Sequence, residues 1–169
     1  MEGHVGVAQL LLDRGADPNA QDFLGYAPLH YAAAYGRVEA AKLLLERGAN
    51  PNLKTVAGDT PLHFAAEHCT VLKLLLLHGA NVNAQDKYGR TPLHLVAIYG
   101  AKCSAEWLLR HGADPDAKDA DGNTPLHKAG NEDKALILAT HITDVNAKNN
   151  EGQTPLHLAA ESGDVRVVE

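Results

Sequence analysis

The chain has 169 residues, 45% of them hydrophobic and 21% charged, with a net charge of −6. It is too apolar and too weakly charged for a disordered segment, and long enough for one domain with a continuous core. The mild acidic balance speaks against nucleic acid, which is held by clustered cations. No run approaches the roughly 18 apolar residues of a membrane helix, so neither nucleic acid nor membrane is expected as a partner. Cys69 and Cys103 lie far apart and form no metal-spaced or CxxC set, and are read as free thiols of a reducing compartment. Met1-Glu2-Gly3-His4 has neither a basic n-region nor an apolar h-region. The expected location is cytoplasmic, with the nucleus also open.

In chain order the predicted elements are helix pairs separated by polar turns. Residues 1–21 carry the second half of one unit: an aliphatic helix through Leu10-Leu11-Leu12, ended at Gly15-Ala16. Residues 22–54 form the first full unit. A turn from Asp22 to Gly25 leads to Pro28-Leu29-His30, a short helix over Ala32-Ala33-Ala34, and an aliphatic helix over Leu43-Leu44-Leu45. The same order recurs in 55–85, 86–118 and 119–148, and residues 149–169 repeat its first two-thirds. The Pro-Leu-His histidines fall at 30, 63, 94, 127 and 157, a period near 33, which is the mark of a repeat architecture.

Each unit has a physical logic. Thr60, Thr91, Thr124 and Thr154 precede proline; threonine suits an N-cap, and proline suits a first helical position where a missing N–H costs nothing. Alanines in the first helix let neighbours approach closely. Gly36, Gly100 and Gly163 are placed for left-handed helix stops, as are Gly15, Gly48, Gly79 and Gly112 after the second helices. One helix pair cannot bury its own apolar face, so the units are expected to stack in one dimension.

Asp86 to Lys118 matches the pattern D-x-x-G-x-T-P-L-H-x-A-A, aliphatic helix, G-A-x-x-N-A almost position for position. The chain therefore resembles the ankyrin repeat family over nearly its whole length. The resemblance implies an all-α fold: a solenoid of stacked helix-turn-helix units with β-hairpin fingers, forming a single domain over 1–169. Departures are local. Ala27 replaces the capping threonine, unit 55–85 is two residues short around Glu67-His68-Cys69-Thr70, and unit 119–148 is three short, with His141-Ile142-Thr143 where Gly-Ala belongs. That last unit is expected to have a shortened helix pair and low local stability. Leu10, Leu11, Val165, Val167 and Val168 sit on half-units with no outer neighbour, which suggests end-to-end stacking of an otherwise monomeric chain, or a longer array.

Ten histidines invite a metal reading. Five occupy the Pro-Leu-His slot, where the ring can serve turn backbone. His78, His111 and His141 align with Arg14 and Arg47 at the ends of second helices, where positive charge complements the helix dipole. Adjacent helices lie about 8–10 Å apart, too far for histidines of neighbouring units to share one zinc ion easily. Ser104 and Ser162 lie in no Gly-x-Ser-x-Gly elbow, and the glycines form no phosphate loop. No catalytic residue, cofactor or metal is expected, and the chain is not read as an enzyme.

Surface recognition of another protein remains. The resemblance places partner contacts on the finger tips and the exposed side of the first helices. Carried over by position, these are Phe23, Leu24, Tyr26 and Tyr35; Val56 and Asp59; Lys87, Tyr88, Arg90, Ile98 and Tyr99; and Asp121 and Asn123. Five of the eight aromatic residues fall in these slots, and exposed aromatics are what interfaces enrich. The expected function is a non-catalytic protein-interaction scaffold, with a spacer segment of a longer repeat protein as the alternative.

Overall fold

The computed structural model describes residues 3–162; Gly163, Val165, Val167 and Val168 lie outside them. Among the described residues every regular element is helical, and none is long and apolar enough to cross a membrane. Where the sequence reads as one domain, contacts gather the chain into two compact units, Met1–Asn81 and Val82–Glu169. The boundary falls inside the loop of repeat 55–85 and needs no linker, because contacts in a repeat chain are local in sequence.

The N-terminal unit holds α1 (Gly3–Asp13), α2 (Pro28–Ala34), α3 (Val38–Glu46), α4 (Pro61–Phe64) and α5 (Cys69–Leu77). α2 packs on α3 and α4, while α3 lies between α1 and α5. Covered on both flanks, Leu43, Leu44 and Leu45 are 8, 7 and 7% exposed. The C-terminal unit holds α6 (Pro92–Tyr99), α7 (Lys102–Arg110), a 3₁₀ turn (Pro125–Lys128), α8 (Glu132–Ala139) and α9 (Pro155–Ser162). α6 packs on α7 and on the 3₁₀ turn, α7 on α8, and α9 on the 3₁₀ turn.

The first helices start where threonine-proline predicts, but histidine closes the cap. The Nδ1 atoms of His63, His94 and His127 each accept the backbone N–H of the threonine three residues earlier at 3.1 Å, and each lies 2.9 Å from that threonine's Oγ1. Ala27 removes only the hydroxyl partner, since its own N–H still reaches His30 Nδ1 at 3.0 Å. With Nδ1 accepting, the ring proton sits on Nε2. From there His30 donates to Leu53 O at 3.1 Å, His94 to Asn123 O at 2.9 Å and His127 to Gln153 O at 3.2 Å. Each of these rings thus pins the loop of the following repeat.

A second brace comes from asparagine. Asn19 Nδ2 donates to Gly48 O and its Oδ1 accepts from Asn50 N; Asn52 does the same with Gly79 and Asn81, and Asn83 with Gly112 and Asp114. The glycines concerned end the second helices at φ of 86, 83 and 86° for Gly48, Gly79 and Gly112, as expected. Gly100 differs: it is extended, with φ −75°.

The shortened fourth repeat is rebuilt in a way the sequence does not announce. Its first helix contracts to the 3₁₀ turn, and the chain then crosses close to the C-terminus of α6. Gly130 N donates to Ala97 O at 2.9 Å, and a Cβ on Gly130 would stand 2.8 Å from Ile98 O. Lys134, 4% exposed, sends its ammonium to Ile98 O at 2.8 Å, satisfying a carbonyl that the end of α6 leaves open. Lys134→Met keeps the stem and removes the donor. It is expected to destabilise the chain by about 1–3 kcal/mol, the cost of an unsatisfied buried acceptor, measured by urea unfolding. An unchanged midpoint would show that the ammonium is dispensable.

The expectation of free thiols fails, because neither Cys69 nor Cys103 is a free thiol. The thiol argument for a reducing compartment goes with it.

Candidate functional site

No strand occurs among the described residues; where the resemblance implies β-hairpin fingers, the chain makes tight turns. In four of the turns one side chain accepts two backbone N–H groups. Asp22 Oδ1 takes those of Leu24 and Tyr26, both at 2.9 Å, and Asp86 Oδ1 those of Tyr88 and Arg90 at 2.8 and 2.9 Å. Asp119 and Asn149 hold the next two turns in the same manner. Thr55 fills this slot in the shortened second repeat, where its Oγ1 accepts Asp59 N at 3.2 Å. A turn closed this way projects the two residues at its tip. Successive tips are also bonded, Val56 N to Leu24 O at 2.9 Å in the N-terminal unit and Ala120 N to Tyr88 O at 2.8 Å in the C-terminal one.

In the N-terminal unit this geometry leaves Phe23 fully exposed, with Leu24 64% and Val56 77% exposed. Beside them lies an aromatic cluster. The Tyr26 ring centroid is 5.5 Å from Tyr31, 5.3 Å from Phe64 and 5.8 Å from His30, spacings at which offset and edge contacts are favourable. Tyr26 is accordingly half-buried and acts partly as support. Tyr31 donates its hydroxyl to Asp22 Oδ2 at 2.7 Å. That bond, reinforced by the Tyr26 N–H, holds the Asp22 carboxyl below its ordinary value, and the same carboxylate pushes the Tyr31 hydroxyl up. Tyr35, one helical turn beyond Tyr31 and 64% exposed, extends the aromatic face along α2.

The C-terminal unit presents a different tip. Tyr88 is 52% exposed, and two cations face its ring: Lys87 Nζ at 4.9 Å and Arg90 Cζ at 5.0 Å from the centroid. Arg90 also donates from Nε to the buried Asp86 carboxylate at 2.7 Å. Tyr99, 65% exposed, ends α6, and Asp121 is exposed at the following tip.

Some predicted contact residues are placed otherwise. Asn123 is a correction: it is 4% exposed, accepts His94 Nε2–H on its carbonyl and Asn149 Nδ2–H on its amide oxygen at 3.0 Å, and belongs to the framework. Asp59, Arg90 and Ile98 are half-buried. Tyr31, outside the predicted contact slots, is 46% exposed. Its spacing of four from Tyr35 was the available signal.

Three further histidines follow the helix-end logic. His78, His111 and His141 point Nδ1 at the carbonyl four residues back, each at 2.8 Å. No group of three or more potential metal ligands gathers among the described residues. Burial lowers the affinity of His30, His94 and His127 for a proton below the ordinary value of 6.5, and their bonds to backbone carbonyls oppose that only in part. Their folded-state pKa values lie below the unfolded one, so between the two the unfolded chain binds more protons. Stability is therefore complete above about pH 6.5 and declines as pH falls below it. Chemical-denaturation midpoints are expected to drop between pH 7.5 and pH 5, well before carboxylates titrate; a flat profile over that range would contradict the neutral-imidazole brace.

Polar turns at the tips, alanine-rich first helices, aliphatic second helices and a histidine brace thus recur through both units. No curated protein matches the chain. The family model described as ankyrin repeats (3 copies) matches it in overlapping placements over residues 1–86, 29–119, 62–149 and 105–169. The chain belongs to the ankyrin repeat family.

Proposed function

We propose that the chain is a non-catalytic binding module that grips a protein partner through its turn tips and the exposed sides of its first helices. Ankyrin repeats are generally protein-protein interaction modules; the assignment of residues is ours. One observation carries it: Phe23, Tyr35, Tyr88 and Tyr99 all remain at least half exposed. Large rings left in water at loop tips and helix ends are the groups from which interface hot spots are drawn. The N-terminal unit would supply an apolar aromatic patch, and the C-terminal unit a tyrosine flanked by Lys87 and Arg90 that suits acidic groups on the partner.

The test is affinity capture from a soluble lysate with the intact chain, a Phe23→Ala/Tyr35→Ala variant and a Tyr88→Ala/Tyr99→Ala variant. A bound protein is expected to be lost or weakened at least tenfold, about 2 kcal/mol per hot spot, with helicity unchanged. Equal retention by all three chains would place recognition elsewhere. No specific retention by any would favour the spacer reading.

A further inference from the structure

In the turns at 22–26, 86–90 and 119–123 the aspartate commits Oδ1 to two backbone N–H groups. Its second oxygen is left over, and in each turn a side chain of different chemistry meets it. The Tyr31 hydroxyl donates to Asp22 Oδ2 at 2.7 Å, and Arg90 Nε to Asp86 Oδ2 at 2.7 Å. Lys128 Nζ lies 3.5 Å from Asp119 Oδ2.

Tyr31 and Lys128 share a slot. Each directly follows the Pro-Leu-His histidine and stands nine residues after its aspartate. In the other repeats that slot holds Phe64, Leu95 and Leu158. Leu95 belongs with Asp86, whose second partner comes from Arg90 inside the turn. Phe64 and Leu158 belong with Thr55 and Asn149, turn residues that carry no charge. A carboxylate in the turn is thus matched by a donor in every case, and a neutral turn residue by an apolar slot.

The two kinds of donor differ in consequence. Arg90 ties its turn to itself, whereas Tyr31 and Lys128 tie theirs to the first helical element. A carboxylate bonded through both oxygens is also fixed in rotation, and hydrogen bonds to a charged group are the stronger ones. At Asp22 this joins the neighbouring Phe23 and Leu24 to α2, which carries Tyr35 one helical turn beyond Tyr31.

We infer that Tyr31 is a positioning residue for recognition: its hydroxyl latches the Phe23–Leu24 tip to α2, so that tip and helix meet a partner as one pre-formed surface. A pre-formed surface binds more tightly because less order is imposed on contact. The latch belongs to the free chain; its role in binding rests on the proposal that Phe23 and Tyr35 touch the partner.

Tyr31→Phe keeps the ring beside Tyr26 and loses only the oxygen. Tyr31→Lys loses the ring and supplies a donor of the kind found at Lys128. A latch and a ring-packing role therefore predict opposite orders. Amide hydrogen exchange of Leu24 and Tyr26, followed by NMR in the free chain, is expected to quicken about three- to tenfold in Tyr31→Phe, the scale of one exposed hydrogen bond to a charged group. Tyr31→Lys should stay near the parent rate, and the Tyr88 and Arg90 amides should be unaffected in both. A Tyr31→Phe rate no faster than that of the parent or of Tyr31→Lys would overturn the latch. A partner released by Phe23→Ala/Tyr35→Ala is expected to bind Tyr31→Phe more weakly by a similar factor, and undiminished binding would overturn the role in recognition. Equal retention by Phe23→Ala/Tyr35→Ala would instead remove the proposed contact surface, with the latch still decided by exchange in the free chain.

Discussion

His94→Ala is expected to lower the free energy of unfolding by about 3–5 kcal/mol. The ring is fully buried, accepts Thr91 N–H, pairs with Thr91 Oγ1, and donates to the Asn123 carbonyl 29 residues downstream. Alanine strands a buried donor and a buried acceptor, each worth about 1–3 kcal/mol when unsatisfied, and adds a cavity where the imidazole stood. His157 is the control. Its ring makes the same local bond to Thr154 but is exposed, so His157→Ala should stay within about 1 kcal/mol of the parent, the range of an exposed side-chain hydrogen bond. Guanidinium unfolding of the two variants measures the difference; equal small effects would mean that the brace between repeats contributes little.

Leu44→Ala is expected to cost about 2–5 kcal/mol, the range for a buried leucine that leaves a cavity. Leu44 is 7% exposed in α3, between α1 and α5. Leu11 occupies the same register one repeat earlier but is 55% exposed on α1. Leu11→Ala should therefore cost well under half as much. The pair separates burial from helix propensity, since both positions exchange leucine for alanine within an aliphatic second helix. Matching losses would show that Leu11 is covered.

The helices were legible because their signals are local. Threonine-proline starts the first helices, glycine ends the second ones, and a 33-residue period identifies which positions share a slot. A turn tip forces exposure at Phe23, Leu24, Val56 and Tyr88, whatever binds there. Exposure is not forced at Asn123, which sits in a comparable turn but is buried by bonds to His94 and Asn149, partners 29 and 26 residues away. Lys134 was hidden for a related reason. A lysine in a second helix reads as solvated, and only the contraction of the first helix of its own repeat brings its ammonium onto the end of α6. Deletions within a repeat are visible in the sequence, whereas the side chain that compensates for them is chosen by long-range geometry. The thiol reading failed because spacing along the chain does not report whether a cysteine is a free thiol.

Amide hydrogen exchange on the chain, free and with its captured partner, tests the central claim most directly, because it reports the footprint without mutation. The account predicts new protection at the tips around Phe23–Tyr26 and Lys87–Arg90 and at the ends of α2 and α6, beside Tyr35 and Tyr99. Protection confined to the second helices, with those tips exchanging as fast as in the free chain, would contradict it.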